Sequence, residues 1–262
     1  MAEALRLAEQ ALANAGVDTP RVDAELLLAH VLGVSRSGVY ANGEHEVPGR
    51  FHVLLGRRCK REPLAYVLGE WGFRRLTLKT DARALVPRPE TEIVVERCLE
   101  LLREEREPRV LDLGTGTGAI ALALADEHPA ARVTAVDSSP EALALARENA
   151  ARLRLPVEIR AGGFEVAAEG WDLVVANPPY VAPEEWDGLQ PEIREWEPRG
   201  ALVGVGLHEQ IARAAATHRL VLEVGDGQAE AVAETLRELG YTDVTVTFDL
   251  TGTERVVDGR RP

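Results

Sequence analysis

Apolar residues recur at helical spacing in the N-terminal part of the chain. They predict a helix over residues 2–15, which stops at Gly16, and a second helix from Thr19-Pro20 to Leu32, which stops at Gly33. Thr19 is the predicted N-cap of the second helix, and Pro20 is its first-turn residue. Shorter helices are predicted over residues 35–41, 48–61 and 63–68. These segments together predict a small helical domain over residues 1–69.

The apolar period changes to two in the segment that follows. Residues 73–79 alternate between apolar and polar positions, which is typical of a β-strand. We therefore predict a β-hairpin linker over residues 70–86. A helical pattern then runs over residues 93–102, beyond Pro89, which restricts the backbone of the residue before it.

From Arg109 onward, short apolar runs alternate with helical segments. The strands are predicted at residues 110–113, 132–136, 157–160, 173–176 and 220–224. This alternation is typical of a mainly parallel sheet with helices on both faces. The chain closes with a predicted helix over 228–239 and an antiparallel hairpin of 244–248 and 255–257. We predict an α/β domain over residues 87–262.

Composition narrows the class of protein. The net charge of −13 disfavours free nucleic acid as a partner, although residues 57–61 form a local basic cluster that is either a solvated helix end or a docking patch. No apolar run is long enough to span a bilayer, and the N-terminus lacks the features of a signal peptide. We therefore expect a cytoplasmic protein. Cys59 and Cys98 have neither redox-motif nor zinc-site spacing, and no metal site is predicted.

A glycine-rich segment follows the first strand of the α/β domain. Asp112-Leu113-Gly114-Thr115-Gly116-Thr117-Gly118 lies where an open α/β sheet binds ligands, and its glycines allow a tight turn close to a ligand. A dinucleotide fingerprint has the spacing G-x-G-x-x-G, whereas this loop has G-x-G-x-G. Asp112 would repel a pyrophosphate but attract a ligand that carries an ammonium and a sulfonium.

Asp137 ends the second predicted strand of this domain. Its carboxylate is placed to accept hydrogen bonds from both hydroxyls of a ribose, as the corresponding acid does in Rossmann folds. The alternative is a helix N-terminal turn that Asp137 forms with Ser138-Ser139-Pro140, and the two roles are compatible. A ribose with a cationic tail indicates S-adenosylmethionine rather than NAD.

Asn177-Pro178-Pro179-Tyr180 directly follows the apolar strand over 173–176. Two prolines fix the loop, so that the Asn177 side-chain oxygen and the Pro178 carbonyl can both accept hydrogen bonds from one NH2 group. Two acceptors favour the pyramidal nitrogen that an otherwise unreactive amide or aromatic amine needs for attack, and Tyr180 would supply a flat wall. The alternative is an ordinary proline-rich turn in which Asn177 caps its own backbone.

With these motifs in place, the chain resembles the release-factor glutamine methyltransferases of the PrmC/HemK family over almost its whole length. Residues 61–69 resemble the end of that family's helical domain. Residues 85–92, with the sequence Leu-Val-Pro-Arg-Pro-Glu-Thr-Glu, resemble its stretch before the catalytic domain. This stretch is more specific than Asn-Pro-Pro-Tyr, which many amino-directed methyltransferases share. Glu197-Pro198, Ala201-Leu202 and Leu222-Glu223-Val224-Gly225 also match the family pattern.

The resemblance implies a class I, Rossmann-like methyltransferase domain with a seven-stranded sheet and S-adenosylmethionine as the methyl donor. It implies as acceptor the glutamine of the Gly-Gly-Gln loop of peptide-chain release factors, which the helical domain would help to grip. The catalytic residues would be Asn177, Pro178, Pro179 and Tyr180. The cofactor-binding residues would be Asp112, Gly114, Thr115, Gly116, Gly118, Asp137, Phe164 and Asn177. We expect a monomer with no membrane partner.

Two stretches depart from the family pattern. Gly162-Gly163-Phe164 stands where the family usually has an acidic residue before an apolar pair that contacts adenine, and here Phe164 is expected to pack on that ring. The segment over residues 206–221 is short compared with the family pattern, which predicts a shortened helix or loop.

Two other functions stay open from the sequence. An N6-adenine methyltransferase acting on DNA or RNA can present an exocyclic amine to the same tetrapeptide after base flipping. The acidic charge and the residues 88–92 favour the protein substrate instead. A noncatalytic cofactor-binding adaptor is the other alternative, motivated by the two departures.

Overall fold

The computed structural model describes residues 1–41 and 46–261. The chain groups into two compact units, one of Met1–Glu70 with Leu189–Trp196 and one of Trp71–Gly188 with Glu197–Pro262. The inclusion of Leu189–Trp196 in the helical unit had no signal in the hydrophobic pattern. The predicted boundaries at residues 69 and 86 stay predictions.

The helices of the described residues follow the predicted order, with ends shifted by a few residues, except that the helix over residues 191–196 was not predicted. They are α1 (Ala2–Asn14), α2 (Pro20–Leu32), α3 (Gly38–Ala41), α4 (Gly49–Arg58), α5 (Leu64–Leu68), α6 (Thr91–Leu101), α7 (Ala119–Glu127), α8 (Pro140–Leu153), α9 (Pro191–Trp196), α10 (Leu207–Ala214) and α11 (Ala229–Glu238). Helix α2 ends at Gly33 in the left-handed conformation, as predicted. Thr19 occupies the N-cap position, but its hydroxyl donates to Asp23 rather than accepting from a helix N–H group.

The strands form two sheets. They are β1 (Glu70–Phe73), β2 (Leu76–Lys79), β3 (Arg109–Leu113), β4 (Arg132–Asp137), β5 (Glu158–Ala161), β6 (Trp171–Ala176), β7 (Thr217–Glu223), β8 (Thr242–Phe248) and β9 (Glu254–Arg260). Strands β1 and β2 make a two-stranded sheet, and the others make a seven-stranded sheet in the order β5-β4-β3-β6-β7-β9-β8. The five neighbouring strands β5, β4, β3, β6 and β7 are parallel, whereas β9 runs antiparallel to both β7 and β8. The predicted fold class is confirmed.

Apolar residues of the parallel strands point alternately to two separate cores. Val110 of β3 and Val175 of β6 belong to the core that α6 and α7 cover, while Leu111 and Val174 belong to the core that α10 and α11 cover. Strands that are buried on both faces require helices on both faces of the sheet. The continuous apolar runs of these strands are the sequence signature of that arrangement.

The strand register brings the carboxyl ends of the central strands to one edge of the sheet. Leu113 of β3 pairs with both Val136 of β4 and Ala176 of β6. Ala176 also pairs with Leu222 of β7. The glycine-rich loop and the Asn177 loop, which are far apart in the sequence, therefore leave the sheet side by side.

The segment over residues 206–221 is a regular connection. It contains α10, whose Ile211 and Ala212 are buried, and then the start of β7. The predicted shortened element is thus a short helix, because two buried apolar residues on one turn suffice to fix it to the sheet.

None of the helices in the two described ranges is both long enough and apolar enough to cross a membrane.

A buried ion-pair network holds α9 in the helical unit. Arg58 Nε donates to Asp23 Oδ2 at 2.7 Å, and Arg58 Nη1 donates to Glu192 Oε1 at 2.8 Å. Arg61 Nε donates to the same Glu192 oxygen at 2.6 Å. The carboxylate partners of Arg58 and Arg61 thus lie on two different elements, α2 and α9, and the backbone carbonyls of Glu62 and Gly16 accept further hydrogen bonds from the two arginines. Two of the four basic residues in the cluster 57–61, Arg58 and Arg61, take part in this network, and Arg57 donates to Glu62 instead.

Replacing Arg58 with methionine is expected to destabilise the helical unit by about 3–5 kcal/mol, because Asp23 and Glu192 would lose a cation partner in a buried place. Chemical denaturation followed by circular dichroism measures the change in the free energy of unfolding. Arg6→Met is the matched control, since the Arg6–Glu3 pair is exposed and its loss should change stability little. Equal stability of the two variants would contradict the network's role.

Candidate functional site

A cavity of about 580 Å³ opens at the carboxyl edge of the parallel strands. Its walls come from the loops after β3, β4, β5 and β6, from residues 83–88 and from the segment around residues 198–207. All of these parts belong to the second unit. The volume lies within the range of small-molecule and cofactor sites, and the position is the one at which open α/β sheets bind ligands.

The glycine-rich loop forms one wall. Gly114, Thr115 and Gly116 line the cavity. The backbone N–H groups of Gly114 and Thr115 donate to the Val136 carbonyl at 2.8 and 3.0 Å, which fixes the loop to β4. Gly116 has a φ of 56° and a Cβ there would meet only Ala84 at 3.9 Å, so its backbone conformation rather than crowding requires glycine.

Asp112 and Gly118 lie beneath this wall rather than on it. Asp112 Oδ2 accepts hydrogen bonds from Thr115 Oγ1 at 2.5 Å and from the Ala121 N–H at 3.1 Å. Its Oδ1 is buried without a hydrogen-bond partner, and burial raises the pKa of Asp112 to about 7. A Cβ on Gly118 would lie 3.0 Å from Leu122 Cδ1, so this glycine lets α7 begin close to the loop. Both residues support the loop from behind.

Asp137 lies on the cavity wall at the end of β4. One carboxylate oxygen accepts from the Gly116 N–H and the other from the Ser139 N–H, each at 2.9 Å. Each oxygen keeps a second lone pair for a ligand. The turn role of Asp137 is therefore observed, and its hydrogen bonds leave acceptor capacity for the predicted ribose role.

The loop after β5 explains the missing acidic residue. A Cβ on Gly162 would lie 2.6 Å from Val166 Cγ2, so a larger residue would require Val166 to move. The Gly163 N–H donates to Glu165 Oε1 at 2.8 Å. The carboxylate near this loop therefore comes from Glu165, two residues further along the chain. Phe164 lines the cavity at the start of a 3-10 helix, Phe164–Glu169.

The Asn177 loop is divided between the cavity and its surroundings. Asn177 and Pro179 line the cavity, whereas Pro178 is buried beside it. Tyr180 does not line the cavity but packs on Gly225, where an added Cβ would lie 3.0 Å from Tyr180 Cδ2. Asn177 Nδ2 donates to Thr91 Oγ1 at 3.3 Å, which leaves Oδ1 as the acceptor of this side chain. The turn in which Asn177 caps its own backbone is thus not what the structure has.

Three polar groups near the cavity were missed as site residues. Glu197 is buried, and its two oxygens accept from Arg88 Nη2 at 2.6 Å and from the Val86 N–H at 3.2 Å. Thr91 is buried at the start of α6 beside Asn177. Glu223 ends β7 with 2% exposure, and burial raises its pKa to about 7. The available signal was an acid directly after the apolar run 220–222, where a strand buried on both faces ends.

These residues fit S-adenosylmethionine. The Asp137 oxygens have free lone pairs for a ribose diol, and Phe164 offers an apolar face at the adjacent loop. The orphaned Oδ1 of Asp112 makes the region behind the glycine loop favourable for a positively charged group. A ribonucleoside with a cationic substituent would find acceptors for its hydroxyls, an apolar contact for its base and a favourable region for its charge among these residues.

Solved structures share the fold. The hMettl16 catalytic domain in complex with the MAT2A 3'UTR hairpin 6 aligns with a TM-score of 0.58 at 15% identity, covering 84% of this chain and 85% of that one. Human methyltransferase 10 domain containing protein aligns with a TM-score of 0.51 at 18% identity, covering 70% and 88%. At these identities the likeness shows the class I methyltransferase fold.

Replacing Asp112 with asparagine is expected to change how stability depends on pH. Since the native state raises the pKa of Asp112 to about 7, it retains a proton that the unfolded chain releases near pH 4. Wild-type stability should therefore fall as pH rises from about 4 to 7, by up to about 1.4 kcal/mol per pH unit from this group. The stability difference between Asp112→Asn and wild type, measured by urea unfolding without cofactor, should grow in favour of the variant. A constant difference across this range would refute the shift.

Sequence comparisons identify the family. Residues 3–69 match the PrmC N-terminal domain, and residues 92–191 match the methyltransferase small domain. The release factor glutamine methyltransferase of Deinococcus radiodurans is 44% identical, covering 95% of this chain and 94% of that protein. The protein of the same name from Cereibacter sphaeroides is 41% identical, covering 100% and 98%. This chain belongs to the release factor glutamine methyltransferase family.

Proposed function

We propose that this chain transfers a methyl group from S-adenosylmethionine to the side-chain amide nitrogen of the glutamine in the Gly-Gly-Gln loop of peptide-chain release factors. One observation carries the proposal: the Asn177 side chain faces the cavity with its NH2 group engaged by Thr91, so its carbonyl oxygen is the end offered to a ligand. Membership of the family confirms the predicted activity class and the methyl donor.

The cofactor site is proposed to consist of the residues that line the glycine loop and its neighbours. Asp137 would accept hydrogen bonds from the ribose hydroxyls, and Phe164 would contact the adenine. Gly114, Thr115 and Gly116 would bring backbone close to the ligand, with Asp112 and Gly118 holding that backbone from behind. The cofactor, when bound, supplies a methyl group on a sulfonium, which is already activated for displacement.

The acceptor site is proposed to consist of Asn177, Pro178, Pro179 and Tyr180. Asn177 Oδ1 and the Pro178 carbonyl would accept hydrogen bonds from the two N–H groups of the glutamine amide. These bonds would orient the nitrogen and stabilise the positive charge that develops on it. No described residue donates a hydrogen bond to the Pro178 carbonyl, and the neighbouring Asn177 and Pro179 line the cavity, which supports this role. Tyr180, fixed through its carbonyl by Gln228 Nε2 at 3.0 Å, would limit the far side of the slot.

The protein's contribution is mainly orientation. Holding two reactants in line can lower a barrier by roughly 7–11 kcal/mol in favourable cases. The proposed reaction has no covalent enzyme intermediate and needs no strong general base, because the amide nitrogen loses its proton readily after it becomes cationic. The rigidity of the loop therefore matters more than the acid strength of any one side chain.

The partner and cell compartment are part of the same proposal. A release factor as substrate would place the enzyme with the translation machinery in the cytoplasm. The helical domain would grip that substrate, and a monomer suffices because all proposed site residues come from one chain. Methylation of nucleic acid, or cofactor binding without turnover, are the outcomes that would favour the other two functions.

Incubation with labelled S-adenosylmethionine and a release factor tests the substrate. Label should enter the release factor, and should not enter the same factor when the glutamine of its Gly-Gly-Gln loop is replaced with alanine. Label in added RNA or DNA instead would favour the adenine methyltransferase. Cofactor binding without any label would favour the adaptor.

Replacing Asn177 with alanine is expected to lower kcat by at least roughly 10²–10³-fold, because an acceptor that stabilises developing charge is lost. The dissociation constant for S-adenosylmethionine, measured by calorimetry, should change little. Thr245→Ala, an exposed polar residue on β8, is the control. A parallel loss of cofactor affinity and turnover would show that the residue mainly serves the cofactor.

A further inference from the structure

Glu223 is a buried acid beside the acceptor site that the proposed mechanism does not use. It is the last residue of β7, and the preceding residue, Leu222, pairs with Ala176, which precedes Asn177. The register thus puts Glu223 and Asn177 at the same level on adjacent strands. Glu223 is 2% exposed, and its Oε2 is buried without a hydrogen-bond partner.

Polar and charged groups from several elements face Glu223. Thr91 and Asn177 favour its ionised form as hydrogen-bonding neighbours, and Arg255 of β9 favours it through charge. Glu90, at the start of α6, opposes ionisation, and the strongest effect is burial. Burial and, after it, the charge of Glu223 raise the pKa of Tyr180. The His208 ring nitrogen Nε2 lies 2.8 Å from the Glu223 backbone carbonyl.

The orientation of the Asn177 amide is the property that needs an explanation. Its oxygen and its NH2 group have nearly the same shape, so packing alone selects neither orientation. Only the orientation with the oxygen outward can accept a hydrogen bond from a substrate NH2 group. In the structure Asn177 Nδ2 points inward, to Thr91 Oγ1 at 3.3 Å. Something beyond shape must favour this orientation.

A carboxylate that neighbours Thr91 can supply the preference. When the Thr91 hydroxyl oxygen accepts from Asn177, its hydrogen needs an acceptor, and an ionised carboxylate has only acceptors to offer. Glu223 has an unpartnered oxygen and Thr91 as a neighbour. The inverted orientation would set the Asn177 oxygen against a carboxylate, with repulsion in a buried place.

We propose that Glu223, acting through Thr91, is a positioning residue that keeps the Asn177 NH2 group inward and its oxygen directed at the acceptor nitrogen. The inference rests on the proposed function, since it concerns the reactivity of the same site. Glu223 is not proposed to touch the substrate. Its role is to make one of two amide orientations the stable one.

The substitutions Glu223→Gln and Thr91→Val test the proposal. A glutamine can donate as well as accept, so both Asn177 orientations become possible, and a valine removes the bridging hydroxyl with little change in volume. Each variant is expected to lower kcat for release-factor methylation by at least about tenfold, the effect of losing one hydrogen bond to a charged group. The dissociation constant for S-adenosylmethionine and the KM for the release factor should stay within about threefold of the wild-type values. A tenfold change in either, which corresponds to about 1.4 kcal/mol, would indicate an effect on binding.

The double variant separates positioning from general damage. If both residues act only through the orientation of Asn177, Glu223→Gln in the Thr91→Val background should lower kcat little further. Multiplicative losses would show independent effects and overturn the proposal. Thermal unfolding and cofactor binding establish that each variant is folded. Glu230→Gln, an exposed substitution of the same type on α11, is the matched control.

The pH profile provides a readout that simple structural damage would not produce. Because the pKa of Glu223 is about 7, protonation should lower wild-type kcat below about pH 7, as the neutral acid can then donate to Asn177. Glu223→Gln should already be low at pH 8 and should lack this part of the acidic limb. Any limb that remains would come from other buried acids, such as Asp112, whose pKa is also about 7, and Glu197, whose pKa is raised by burial.

The outcomes distinguish this inference from the proposed function. If the wild type labels no release factor while it binds the cofactor, the proposed function fails. If the wild type labels the release factor and Glu223→Gln has the same kcat and pH profile, the proposed function stands and the role of Glu223 is refuted. The positioning role is supported if Glu223→Gln has a low kcat at pH 8 and lacks the loss of kcat that the wild type shows below pH 7.

Discussion

The site depends on the parallel register of β3, β6 and β7. Pairing of Leu113 with Ala176, and of Ala176 with Leu222, ends three strands at one level and turns three loops into one cavity edge. Each strand is buried on both faces, so a slip along the sheet would move apolar side chains out of both cores. The hydrophobic packing that stabilises the domain therefore also fixes the separation between the glycine-rich loop and the Asn177 loop.

Burial at this edge gives acidic residues properties that they lack on the surface. Asp112 and Glu223 both have a pKa raised to about 7, because burial penalises the charged form more than their neighbours favour it. Glu197 is also buried, and its pKa is raised in spite of the nearby Arg88. Such groups weaken the fold as the pH rises, and acids with a pKa shifted in this way cluster at functional sites. Each of the three touches a segment that lines the cavity or lies behind it.

The sequence predicted the elements well because their signals are local. The change of apolar period, the glycine stops and the strand–loop–helix repeat each depend on a few neighbouring residues, and they located β3 to β7 within a few residues. The grouping of α9 with the helical unit is different, because it depends on Arg58 and Arg61 meeting Glu192, residues more than a hundred positions away. No local pattern carries that information. The same holds for Thr91, which lies beside Asn177 only because α6 packs on the sheet.

Within each of the two motifs, some residues line the cavity and others only support the loop. This division limits the assignment of function from motifs alone. In the glycine loop, Gly114, Thr115 and Gly116 meet the cavity, while Asp112 and Gly118 shape the loop from behind. In the Asn177 loop, one prolyl residue is buried and the tyrosine packs on Gly225. A motif therefore records a backbone path together with its supports, and only part of it is contact surface. Because the supports set the position of the contacts to within a hydrogen-bond length, a change at a supporting residue should affect turnover before it affects binding.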